Sequence, residues 1–589
     1  MSARLWLHAR SALARILLVT VLGLTLLGGL SGGVLALPPG VTHDGAHTWT
    51  ITPHNSSPDD PQRIQAAVNQ AKPGDTIRLG AGTFDFSEFE TVTIAKDLTI
   101  EGQWDAKNQV PLTTIKNGYM PLCIGRKTPV VKPELKTVNG HQVYHITRDV
   151  FGRLNYPFTY DPFIYPGGRV YNVFDDWTPV NVTVRQITFV RPYLYAIGSS
   201  GARGGTVERV RIQGAWPGQL DIEHTGALAH AISWVGMGLF PLRRTVDPAL
   251  YTGTDLVRGN LLVQDSTIEG DYRGFSAGDS DESGDVVAVP YDPANPAPPQ
   301  GAYEKYVLQD VATEWDAQDV SMPESVVRYW VKKGYTASYW DGQVYVDSGV
   351  SFGGIHLTWT EAALTVRRNV IRGCFASVLP LANGYRGKPF TAVIEDNSLD
   401  SQFFEGVLAH DYPFTNQSPP GEELVPNPGS SIVVKNNKIS VRAPLEWGWN
   451  AIDLEVGGQV LVEGNRIACN CGAGIGLWWP TQKATVRGNR VSGTGDYGLV
   501  TFWGSDGNIL VNNDVSAFTP SGPGIPDAAP AAYILLLSDH NTVIGRGARA
   551  VLDLGQDNTI IGVPRRIGQA KAAAQGKALA KPYQRMRLR

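Results

Sequence analysis

The chain has 589 residues, with 51 Lys+Arg against 55 Asp+Glu, a formal net charge of -4 and four cysteines. That balance excludes a chain that is basic throughout and built to coat nucleic acid. Four cysteines in so long a chain exclude a fold held mainly by disulfides, and length alone does not count domains, because repeat architectures grow without adding cores.

The first 36 residues read as a secretory signal peptide. Arg4, Arg10 and Arg15 precede an uncharged apolar run from Ile16 to Leu30, and Val34 and Ala36 supply the small residues of a cleavage site. The exported form is expected to begin at Leu37 and to be secreted or periplasmic. The competing reading is an uncleaved membrane anchor, for which a run of about 15 residues is short against the ~20 of a span.

After a lead-in over 37–57, Pro61 to Ala71 places Ile64, Ala67, Val68 and Ala71 at helical spacing, and Asp59 or Asp60 stands where an N-cap belongs. A KPGDT turn, a strand over Thr76 to Leu79, a GAGTF turn and the segment TIAKDLTIEG follow. This opening resembles that of the pectate-lyase-like right-handed β-helix superfamily, in which such a helix, a Gly-Asp turn and a Gly-x-Phe/Tyr turn precede the first coil. The resemblance spans roughly residues 58–562. It implies an all-β right-handed parallel β-helix with a short capping helix and long loop insertions. It implies no single activity, since polysaccharide lyases, glycoside hydrolases, uronate epimerases and noncatalytic surface proteins share the fold. The Gly-His-Gly, Asp-Pro-His and Trp-Ile-Asp-His signatures of catalytic members do not occur.

Insertions are expected at about 123–178, 277–350, 411–430 and 519–532, where a rigid stack would carry its loops. The second holds a short helix over Pro323 to Lys333. It also holds Asp279, Asp281, Ser283, Gly284 and Asp285, spaced like the start of a calcium loop, although position 12 is Pro290 rather than Glu. An acidic surface loop is the competing reading. Calcium is thus the one metal suggested, and no cofactor is required. Asp221, Glu223, His224 and His230, before Trp234, read as turn or surface residues.

One short pattern recurs from about residue 180: an aliphatic residue, two polar residues, a slot residue, one polar residue and another aliphatic. It appears as VERVRI at 207–212 and VQDSTI at 263–268, then six times with asparagine in the slot: Asn369, Asn397, Asn437, Asn465, Asn489 and Asn513. The asparagines are 28, 40, 28, 24 and 24 residues apart, the period of a solenoid coil with one long insertion. Runs this short and rich in Val and Ile read as strands. Asparagine tolerates left-handed backbone, and its amide can extend a hydrogen-bond ladder at a bend, so these residues are expected to be structural.

A second strand precedes each C-terminal slot. GIHLTW (354–359), SVLPLA (377–382), GVLAHD (406–411), AIDLEV (451–456), GIGLWW (474–479) and GLVTFW (498–503) align so that the second residue points inward and the third and fifth point outward. The outward series then includes His356, His410, Asp453, Glu455, Trp478 and Phe502. Asp453 and Glu455 would lie about 6–7 Å apart on one face, within the ~5–9.5 Å over which carboxyl pairs divide acid and base or nucleophile roles in glycoside hydrolysis. His410, in the position matching Glu455 one coil earlier, could tune its protonation. His356, Trp478 and Phe502 would hold sugar, whereas the bland alternatives are a salt-bridged acidic strand and aromatics packed under a loop.

The expected function is therefore an exported protein hydrolysing glycosidic bonds of a polysaccharide, with polysaccharide as its partner and nucleic acid excluded. A lyase or epimerase would need cations beside its base, and the aligned outward positions carry neither Lys nor Arg. A noncatalytic polysaccharide-binding envelope or adhesive protein is the alternative from another class. Residues 563–589 form a basic tail without acids, and membrane contact is expected only through that tail or an uncleaved signal. Cys469 and Cys471 flank one residue, as in a local disulfide, while Cys123 and Cys374 read as buried thiols.

Overall fold

The structure is a computed structural model. It describes residues 37–87, 90–118, 120–126, 134–138, 141–145, 178–192, 195–200, 202–214, 229–235, 260–270, 336–340, 343–347, 352–358, 363–374, 376–381, 391–401, 405–410, 428–442, 450–525, 529–545 and 550–567. The signal peptide, the Asp279, Asp281, Ser283 and Asp285 loop, the helix expected at 323–333, the Asp221, Glu223 and His224 group and the basic tail beyond residue 567 lie outside them. The chain divides into compact units Met1–Pro39 and Gly40–Arg589, and the strands belong to the second.

The expected architecture, a parallel β-helix, is what the described residues of the second unit form. A 15-stranded sheet makes the first face, and a 22-stranded sheet contains two further strands from most coils. One coil reads Ala363–Arg367 on the first face, Val370–Cys374 on the second and Val378–Leu381 on the third. Strands of successive coils pair in parallel, as Ala363–Arg367 does with Thr391–Glu395. Parallel pairing runs from Thr48–Ile51 to Arg565–Ile567, and Val41–His43 pairs antiparallel with Thr48–Ile51 at the start.

Alternation along each strand builds the core. In Ala363–Arg367, Thr391–Glu395 and Gln459–Glu463, the second and fourth residues are buried and the others are not. The core spans the solenoid from one face to another: the ring of fully buried Trp234, on the third face, reaches Gly205 on the first, where an added Cβ would lie 2.3 Å from it. No side chain fits at Gly205 while Trp234 occupies that space.

The asparagine ladder forms as expected. The Asn465 amide donates to Val434 O (2.8 Å) and to Asn489 Oδ1 (2.9 Å), and its own Oδ1 accepts from the backbone N–H of Asn437 (2.9 Å). The same contacts run from Asn369 to Asn513, all six side chains being buried. Ser266 extends the ladder backwards, its Oγ accepting from the N–H of Val210. One expectation needs correction. The left-handed backbone sits not at the slot asparagine but one residue before it, at Asp265, Arg368, Asp396, Asn436, Gly464, Gly488 and Asn512, with φ between 51° and 67°. Its strain is local, and the bond network of the following asparagine holds it. A second ladder, Asn508 to Asn541 to Asn558, links the next bend of the last coils.

The helix covers Asp59–Gln70, starting two residues earlier than expected. Pro58 is its N-cap, and no side chain caps it. Asp60 instead accepts backbone N–H bonds from His54, Ser56 and Asp85 and pairs with Arg63 in the interior. Lys96 Nζ donates to the carbonyls of Val68, Asn69 and Ala71, satisfying groups that the helix end leaves open. Cys469 and Cys471 form a disulfide, and Cys123 and Cys374 are buried thiols. Burial pushes the Cys374 thiol up to about 12.

Candidate functional site

The third-face strands align residue for residue as the sequence predicts. Ile355, Val378, Val407, Ile452, Ile475 and Leu499 are successive register partners, and the last five are buried in the core. The small residue opening each strand has a steric cause. At Gly474, an added Cβ would meet Val491 Cγ1 at 2.4 Å and Gly498 O at 2.7 Å, because the chain turns there against the coil beside it.

Register fixes the neighbours of the carboxylates. Leu408 stands opposite Asp453 and His410 opposite Glu455, one strand spacing of about 4.8 Å away. His356 is in the Asp453 column three coils earlier, partnered by Ser233 and Leu379. His230 pairs with Tyr195 and Gly353, in another column.

The carboxylates do not stand in solvent as expected. Asp453 is 0 % exposed and Glu455 6 %. Alternation is intact, since Ile452 and Leu454 occupy the core side, but the outward side is covered as well. Part of the cover is Asn450, whose Nδ2 donates to Asp453 Oδ2 at 2.7 Å. Gly476, the register partner of Asp453, leaves the necessary space: a Cβ there would lie 2.6 Å from Asn450 Nδ2 and 3.3 Å from Trp478 Nε1. The amide, the carboxylate and the indole edge therefore converge on one spot. Thr481 Oγ1 donates to Leu454 O and accepts from the N–H of Val456, fixing the turn after Trp478 against the carboxylate strand.

Phe502 also departs from expectation. It is 5 % exposed and packs with Tyr497, Val500, Ile525, Leu535 and Leu537, so it is no open platform for sugar. The cause is the segment after Pro520, tied down where Tyr497 Oη accepts from the N–H of Ile525 and donates to Ala529 O. Asp496 adds a bond from the N–H of Gly524; burial pushes its carboxyl above the usual range against that bond. Trp478 stacks on Phe502 with ring centroids 3.3 Å apart and remains only partly buried, at the edge of this cluster.

Sequence reading missed Asn450, Gly476, Asp496 and Tyr497. Asn450 stands three residues before Asp453 on the same strand, a spacing that alternation alone puts on opposite faces. Among the described residues, no group of three or more His, Cys, Asp or Glu side chains could hold a metal ion. No described helix is long and apolar enough to cross a membrane.

Residues 353–522 match the family model described as the right handed beta helix region, which agrees with the parallel register and with the resemblance of the opening segment. The chain matches no curated protein by sequence. Among solved structures it is similar to the A-module of a mannuronan C-5 epimerase of Azotobacter vinelandii, at 12% identity and a TM-score of 0.29, covering 86% of this chain and 96% of that one. A mannuronic acid specific polysaccharide family 6 lyase from human gut microbiota gives 10%, 0.33, 91% and 90% in the same order. A surface adhesin of Streptococcus pneumoniae gives 11%, 0.30, 88% and 92%. Likeness at this level assigns no activity.

Proposed function

We propose that this chain is an exported β-helix protein that hydrolyses glycosidic bonds of a polysaccharide, with Asp453 and Glu455 as its carboxyl pair. The carrying observation is their place at alternate positions of strand Asn450–Glu455, beside the partly buried Trp478; alternate residues of a strand lie about 6–7 Å apart. Within that reading the hydrogen bond from Asn450 fixes the plane of the Asp453 carboxylate, as an attacking group or a base requires. Glu455, slightly more exposed and opposite His410, is the proton donor to the leaving oxygen. Trp478 offers a ring edge to a sugar on the following coil, with Phe502 stacked behind it as support. Entry of substrate requires the cover over Asp453 to move.

A second reading, noncatalytic polysaccharide binding, is favoured by one observation. In the Asp453 column Leu379, Leu408, Val500 and Leu535 are all buried, so the outward side of this face is packed on both sides of the carboxylate. Incubating the exported chain with a broad polysaccharide panel and weighing the products separates the two. Hydrolysis yields products that have gained water, and Asp453→Asn and Glu455→Gln should each slow turnover about 100-fold or more. Normal turnover in both variants would refute the site, and binding without product would establish the second reading.

A further inference from the structure

Outward charges are arranged in columns along the solenoid, most of which alternate in sign, as Glu269, Arg372 and Asp400 do on the second face. On the first face, one outward column reads Arg367, Glu395, Lys435, Glu463 and Arg487 in consecutive register, so signs alternate. Lys435 there lies between two anions, Glu395 and Glu463, and Glu463 meets Arg487 at 2.8 Å and Lys435 at 3.8 Å. On the second face, Lys438, Arg466 and Arg490 are also in consecutive register, but all three are cations. All are exposed. Arg490 meets Asp514, the next residue of the column, at 3.3 Å. Lys438 and Arg466 have no ion-pair partner among the described residues.

Like charges directly opposite one another on neighbouring strands destabilise a sheet. The first face shows that this solenoid can alternate signs, so the run of cations is a departure that its own folding does not require. Beside it lies a floor of small side chains, Ser440, Ala468 and Ser492 in register, and beyond that floor stand Arg442 and Asn470. The result is a strip with a line of three positive charges, one per coil, beside a column of small side chains that begins after Asp400, which meets Arg442 at 4.0 Å.

We infer that this strip binds a linear acidic polysaccharide whose carboxylates or sulfates sit over Lys438, Arg466 and Arg490. A spacing of about 4.8 Å between cations is close to what one pyranose residue adds to an extended chain, and guanidinium groups pair with carboxylate in two-bond geometry. A line of single charges suits a linear polyanion better than a membrane plane. The inference deepens the polysaccharide reading above, rests on it for the class of partner, and does not need Asp453 or Glu455 to react, since the strip lies on the strands that precede the third face.

The test measures binding of the exported chain to a soluble polyuronate, to the same polymer with its carboxyls reduced, to duplex DNA and to anionic phospholipid vesicles, at low and moderate salt. Polyuronate should bind with steep salt dependence, and combined Lys438→Gln, Arg466→Gln and Arg490→Gln should weaken it at least tenfold. A matched loss of exposed charge elsewhere, Lys107→Gln, Lys116→Gln and Lys483→Gln, should change it less than twofold. Arg466→Gln alone should raise the melting temperature in the absence of polymer and shrink the rise that polyuronate produces. Unchanged polyuronate affinity in the strip variant overturns the inference, as does tighter strip-dependent binding of DNA or vesicles. Equal binding of the carboxyl-reduced polymer overturns the acidic assignment while the polysaccharide reading stands. Loss of product formation in the Asp453 and Glu455 variants bears on the hydrolytic centre alone.

Discussion

The asparagine column and the outward column of the third face run along the same coils, yet one repeats a single residue and the other changes at almost every step. From Asn369 to Asn513 each amide closes a bend and supplies the acceptor for its neighbour, so every member needs the next to be the same. The outward column passes from His356 through Leu379 and Leu408 to Asp453, Gly476 and Val500, a change of residue type at nearly every coil. Uniformity along a solenoid thus marks what the backbone requires, and variation marks what the local surroundings require.

The sharpest way to break this contrast is to remove one rung. Asn465→Ala deletes two donated and two accepted hydrogen bonds and leaves Val434 O and the N–H of Asn437 without them in the interior. At about 1–3 kcal/mol for each stranded group, a loss on the order of 3 kcal/mol is expected in urea unfolding. A loss below about 1 kcal/mol would deny the column its structural role.

The same measurement on Asp453→Asn should give a change under about 1 kcal/mol, because the replacement amide oxygen still accepts from Asn450. A loss as large as that of Asn465→Ala would make Asp453 a structural residue and remove the basis for its reactivity.

The smallest effect is expected in another charged column of the second face, where Glu269 stands opposite Arg372. Burial alone would raise the Glu269 carboxyl, but hydrogen bonds from Arg372, Gln213 and Arg211 overcome it and hold the group at about 2, against an ordinary value of 4.5. Because the folded value is the lower one, its contribution is complete above about pH 4.5 and is lost as pH falls toward 2. Partly exposed Arg partners keep it within roughly 0–1 kcal/mol. Glu269→Gln should flatten that part of the acid-unfolding profile, and an unchanged profile would count against the pairing.

The fold was legible because its signal is repeated. One V-x-x-N-x-I segment would be ambiguous, whereas recurrence at 24–28 residues forces stacking, and stacking fixes which residues face inward. The alignment that put Ile452 beside Val407 and Ile475 needed only the period and the alternation. The bend was less legible: the left-handed residue precedes the asparagine, and the varied identities at that position, from Arg368 to Gly488, hide it.

By itself the sequence determined the coil, its register, the ladder and the common face of Asp453 and Glu455, all of which depend on neighbours a fixed number of residues away. Only the tertiary structure decided that this face is covered. The cover involves an amide folded back over Gly476 and a segment after Pro520 anchored to Asp496 and Tyr497, and neither obeys the repeat. The charge columns, alternating from Arg367 to Arg487 and uniform at Lys438, Arg466 and Arg490, by contrast follow the coil period and are legible once the strands are aligned. Periodic interactions can be read from a chain, whereas contacts that close across coils once require the coordinates, because no second copy records them.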